Sequence, residues 1–99
     1  MAKELLRPVF AAHEGTKFQA QLEEDARLEL ELIKVREIES PPTQEQFSLI
    51  FRGPLERWLE QRTYVLEHEQ LGESRMMLVP IGRDETGFIY EAFFNRLLT

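Results

Sequence analysis

Lys17-Phe18-Gln19-Ala20-Gln21-Leu22, followed after residues 23–27 by Leu28-Glu29-Leu30-Glu31-Leu32, is the stretch that decides the fold. In both runs apolar and polar residues alternate with a period of two, the pattern of a strand with one buried face. Setting Leu22 opposite Leu28, Ala20 opposite Leu30 and Phe18 opposite Leu32 puts all six on one face, with residues 23–27 as the loop. A slip of one residue would turn the leucines to water, so this register is the one expected. At Leu32-Ile33 the alternation changes phase, because Ile33 and Val35 are now apolar. The sequence therefore predicts a β-bulge or sharp bend there.

Outward from this hairpin, residues 8–13 suit a short helix, with Pro8 in its first turn and Gly15 as a left-handed cap. Pro41-Pro42 marks a long loop inside the domain. Phe47, Leu49 and Phe51 form a third strand ended by Arg52-Gly53-Pro54. Residues 54–59 are expected to make one helical turn, with Leu55, Trp58 and Leu59 on its inner side. Three further strands are predicted at residues 63–68, 75–79 and 88–94. Their short connections make successive strands antiparallel neighbours.

These last strands carry apolar residues on both faces: Tyr64 and Leu66 with Val65, Met76 and Leu78 with Met77 and Val79, Phe88, Tyr90 and Phe94 with Ile89 and Phe93. One layer cannot shelter both faces. The expected fold is mainly β: a small antiparallel six-stranded barrel or strongly curved sheet, with the short N-terminal helix plugging one end or covering one side. Apolar surface left over is expected to serve as an interface with a protein partner or a second copy. The candidates are Ile50, Trp58, Met76, Met77 and Phe93, with a docking tail at Asn95-Arg96-Leu97-Leu98.

Composition narrows the function classes. The chain has 99 residues, 42% hydrophobic and 30% charged, which suits one globular domain spanning residues 1–99. A chain of this size buries roughly 65% of its unfolded surface. It has no cysteine, hence no disulfide framework and no thiolate metal site. No run has the length of a signal-peptide core or a membrane span, and the expected location is cytoplasmic. With 18 Asp+Glu against 12 Lys+Arg, the net charge is −6. Scattered basic residues beside acids make nucleic acid and anionic membrane poor partners.

Several residues invite chemistry. Glu67-His68-Glu69 has ligand and acid–base residue types, but successive strand side chains point to opposite faces. His68 reads instead as a strand-end histidine bonded to a turn backbone, and His13 as a residue at a helix C-terminus. Glu29, Glu31, Glu37 and Glu39 read as a solvated strand face. Ser48 lacks a nucleophile elbow and an acid–histidine pair. No catalytic, cofactor or metal set emerges. The alternative is a small-ligand-binding barrel or minor enzyme with a mouth near Tyr64, His68 and Tyr90, which requires a deep pocket with gathered polar groups.

In order along the chain, Phe47-Ser48-Leu49-Ile50-Phe51-Arg52-Gly53-Pro54, Thr63-Tyr64-Val65-Leu66-Glu67-His68, Leu71-Gly72, Leu78-Val79-Pro80-Ile81-Gly82 and Tyr90-Glu91-Ala92-Phe93-Phe94-Asn95 form a distinctive set. The set resembles DUF6916, an uncharacterised bacterial family of about this length, and departs from it at Arg62, where glycine is expected. The resemblance implies an accessory or structural role beside phage-tail-like, tail-collar-type proteins. It implies no catalytic residue.

Overall fold

The alternation at the first hairpin becomes strands β1 (Lys17–Gln21) and β2 (Arg27–Ile38) in the computed structural model, which describes residues 7–97. After helix α1 (Arg7–Ala11), the remaining strands are β3 (Gln44–Gly53), β4 (Arg62–His68), β5 (Gly72–Arg83) and β6 (Phe88–Leu97). They close into an antiparallel barrel in the order β1-β2-β3-β6-β5-β4. The inward residues are the predicted apolar sets: Phe18, Ala20, Leu30, Leu32, Phe47, Leu49, Phe51, Tyr64, Leu66, Leu78 and Tyr90 are all buried in one core.

The hairpin keeps its predicted parity but not its predicted register. Ala20 faces Leu28 and Phe18 faces Leu30, a shift of two residues from the pairing expected. A two-residue shift keeps every side chain on its own face, so the apolar pattern cannot distinguish the two. The turn and the polar face decide it. The Leu22 N–H donates to Ala26 O at 2.7 Å, around the short 3₁₀ turn Glu23–Asp25 with Asp25 at φ 63°. Lys17 then falls opposite Glu31, and their side chains approach to 3.7 Å. The expected register would have spent this pair. The bulge lies where the phase change placed it, with Ile33 as the extra residue between Leu32 and Lys34.

In the ring, β3 and β4 are separated by two strands on either side, so they lie diametrically opposite. The connection 54–61 must therefore cross the barrel mouth, which strand spacing makes on the order of 12 Å wide. Six helical residues advance only about 9 Å. The helical turn expected at residues 54–59 is replaced by an extended strap with one tight turn, Arg57 N–H to Pro54 O at 3.3 Å. Only Leu59 enters the core; Leu55 and Trp58 face out.

The opposite mouth is closed by α1. Phe10 is buried against Phe47 and Phe94, with ring centroids 6.0 and 5.9 Å away. A five-residue helix is too short to be stable alone, so Phe10 burial is what holds it. Gly15, at φ +85°, ends the segment, and its N–H donates to Leu32 O at 2.7 Å.

Candidate functional site

At the strap end, Tyr90 and Tyr64 point inward from β6 and β4 and spend their hydroxyls on the strap backbone. Tyr90 Oη accepts the buried Leu59 N–H at 2.9 Å, and Tyr64 Oη donates to Glu60 O at 2.8 Å. Burial raises the pKa of both phenols above the ordinary value, so each stays protonated. Arg62 partly opposes the shift at Tyr64, its guanidinium lying 4.8 Å over that ring.

Outside these tyrosines runs a groove of about 660 Å³ between the strap and the β1–β2 turn. Leu22, Leu28, Leu59 and Tyr64 make its apolar lining. Arg27, Arg57, Arg62, Glu23, Glu60 and Trp58 also line it. Arg27 reaches the half-buried Glu67 at 3.4 Å and Arg62 reaches the exposed Glu23 at 3.8 Å, each through a single long contact. Among the described residues Arg57 has no ion pair. The Trp58 indole is 53% exposed.

The other end holds the two histidines. His68 Nδ1 accepts the N–H groups of Gln70 at 3.0 Å and Leu71 at 3.2 Å, as expected of a strand-end histidine. Its Nε2 lies 2.9 Å from Thr16 Oγ1, whose own proton goes to His13 O at 2.6 Å. That chain of donors requires the tautomer with hydrogen on Nε2. Burial, and then the neighbouring His13, push the His68 pKa down, against a smaller opposing effect from Glu69. His13, just beyond α1, lies within 2.9 Å of Val9 O of that helix through Nδ1, and of Gln70 Oε1 through Nε2. Among the described residues no three His, Asp or Glu side chains are grouped to hold a metal ion.

The residues expected to share a mouth are thus divided. Tyr64 and Tyr90 sit at the strap end, whereas His68 lies four residues further along β4, about 13 Å away at the rise of a strand. Among the described residues, core side chains such as Phe18 and Leu66 fill the barrel interior between them.

The interface candidates also divide. Met77 and Phe93 stand on the outer face, 51% and 55% exposed, and Ile81 and Leu97 are open too. Met76 points inward from β5 and is 4% exposed, so it belongs to the core. Ile50 points outward from β3 yet is equally buried. It lies between Lys34 and Glu91 in the sheet, and long flanking side chains cover it. Beside it Ser48 donates to Glu91 Oε2 at 2.7 Å, an outer-face polar contact without a histidine. Of the terminal tail, Asn95, Arg96 and Leu97 belong to β6; Leu98 lies outside the described residues.

Sequence reasoning missed the arginine groove. Positions 27, 57 and 62 share no spacing motif, and only the ring order that throws the strap across the mouth brings them together. No helix among the described residues is long and apolar enough to cross a membrane.

Neither a curated protein nor a solved structure matches the chain. The model of one family, described as a domain of unknown function, matches residues 7–94, from α1 into β6. That span takes in α1, five strands whole and most of the sixth, and the chain belongs to this family, DUF6916.

Proposed function

We propose that this domain is a non-catalytic interaction module that works through its outer surface. The observation that carries this reading is the contrast between a filled interior and an apolar exterior. Both mouths are closed by the chain's own segments, while Trp58, Met77, Ile81, Phe93 and Leu97 stand about half exposed or more. Large apolar side chains in water are the material of protein interfaces. The β5–β6 outer face, with Met77 and Phe93, is the surface for self-association or a protein partner. The family resemblance supports a setting as an accessory of a phage-tail-like assembly, and the lack of cysteine supports a cytoplasmic location.

Sedimentation velocity over a roughly hundredfold concentration range tests this, because a reversible oligomer must dissociate on dilution. The expected result is a concentration-dependent dimer that Met77→Glu with Phe93→Glu converts to monomer. A strictly monomeric protein that retains nothing from its own lysate would overturn the proposal.

A further inference from the structure

We infer that the groove between the strap and the β1–β2 turn takes an acidic peptide segment of a partner protein, seating one apolar side chain on its floor between carboxylates. The inference rests on the interaction-module reading and names a partner chemistry for a second face, away from Met77 and Phe93.

Charge is the first argument. The whole chain is acidic at −6, yet this groove gathers three guanidinium groups against two carboxylates. The arginines come from three separate segments: Arg27 opens β2, Arg57 lies on the strap and Arg62 opens β4. Their backbones are held by the barrel ladders and by the Leu59–Tyr90 hydrogen bond, so the constellation is preformed.

Their present partners are weak. Arg57 has no ion pair among the described residues, and Arg27 and Arg62, whose side chains are open to solvent, each make a single contact, at 3.4 and 3.8 Å. Arg62 lies 4.8 Å over the Tyr64 ring. Stacking occupies the face of the guanidinium and leaves its N–H edge for a carboxylate in plane. Between the arginines lies apolar floor, Leu22, Leu28 and Leu59, with the Trp58 indole at the rim. Trp and Arg around an apolar seat are the residue types that dominate binding energy at protein interfaces.

The same features exclude other occupants. The three arginines surround an apolar floor and do not form the continuous basic stripe that tracks a phosphate backbone, so a nucleic-acid strand fits poorly. The groove is open on its outer side and does not enclose a small molecule as a ligand pocket does.

Trp58 is the chain's only tryptophan, so its emission reports on this groove. The probe is a blocked pentapeptide with leucine flanked by two glutamates on each side, compared with its glutamine counterpart. Saturable change in Trp58 emission is expected with the glutamate peptide only. Arg57→Gln should weaken it roughly tenfold, the scale of one charged hydrogen bond, at an unchanged melting temperature. Arg62→Lys should weaken it by a similar factor, because it keeps charge but loses the fork. No saturation, equal binding of the glutamine peptide, indifference to both substitutions, or tighter binding of a duplex oligonucleotide would each overturn the inference. Sedimentation of the same samples separates the two readings. Self-association without peptide binding removes the groove assignment alone, whereas loss of both removes the interaction module as well.

Discussion

Replacing Tyr90 by phenylalanine removes a single oxygen from the core, and the geometry says what that oxygen does. It accepts the Leu59 N–H at 2.9 Å in a site where both residues are almost wholly buried. Without it the N–H has no acceptor and no water to replace one, and an orphaned buried donor costs about 1–3 kcal/mol. For a domain of this length, each kcal/mol moves the melting temperature by roughly 4–8 °C, so a fall on the order of 10 °C is expected. Tyr64→Phe is the control. The Tyr64 hydroxyl is the donor, and its acceptor is the carbonyl of exposed Glu60. Water can take over there, and the cost should be nearer 0.5–1.5 kcal/mol. Urea unfolding followed by Trp58 fluorescence, with thermal melting by circular dichroism, measures both variants. Unchanged m-values would show that the loss lies in the folded state. If Tyr90→Phe costs less than Tyr64→Phe, the claim that the strap is pinned from inside is wrong.

The other mouth, the β5–β6 turn and the histidine cluster give further tests. Phe10→Ala should cost about 3–5 kcal/mol, the usual range for deleting a buried phenylalanine; a loss below 1 kcal/mol by chemical denaturation would mean α1 is not a plug. Gly87→Ala should lower the melting temperature markedly, since a Cβ there meets the Gly53 carbonyl oxygen and Arg52 Cγ at 2.7 Å; a melt like that of the parent refutes the close approach. Asp84 accepts from Arg52 and from the Thr86 and Gly87 backbone, and these hold its carboxyl well below its ordinary value of 3.8. Its stabilisation is therefore present above pH 3.8 and lost as pH falls towards the depressed folded value; Asp84→Asn should flatten the acid limb of the stability curve below pH 4. His68 follows the same sign, because its folded pKa also lies below its unfolded 6.5. Stability should fall as pH drops below 6.5, and His68→Asn, which keeps an acceptor for the turn N–H groups, should remove that slope in pH-dependent urea titrations.

How much of this was legible follows from what a one-dimensional pattern records. Parity is recorded, so the inward set from Phe18 to Tyr90 was readable. A break in parity is local, so the bulge at Ile33 was readable too. A register shift of two leaves no trace in parity, and Ala20 pairs with Leu28 because of the turn at Glu23–Asp25 and the Lys17–Glu31 pair. Met76 and Met77 illustrate the remaining ambiguity: two adjacent apolar residues must point opposite ways, and only the ladder with Tyr64 and Thr63 assigns Met76 inward and Met77 outward. His68 was readable because a histidine just before a tight turn meets that turn's N–H groups whatever the rest of the fold does. Trp58 was not, because its direction depends on where the strap must go.

The strap's route is also what ties fold to function. Six strands enclose little room, and a chain that leaves β3 and re-enters at β4, on the far side of the ring, must run across the opening between them. Leu59 and the two tyrosine hydroxyls fix that crossing, Phe10 packs in the opposite opening, and the described interior between them is filled by core side chains. The proposed recognition therefore uses the outside, and the crossing itself builds one such surface. It carries Arg57 and Trp58 over the mouth and sets them beside Arg27 and Arg62, which the sequence keeps far apart. The strap that packs Leu59 into the core also assembles the external groove, so loosening it through Tyr90→Phe should weaken peptide binding at Trp58 as well as stability. Binding that persists unchanged in that variant would separate the groove from the strap and break this link.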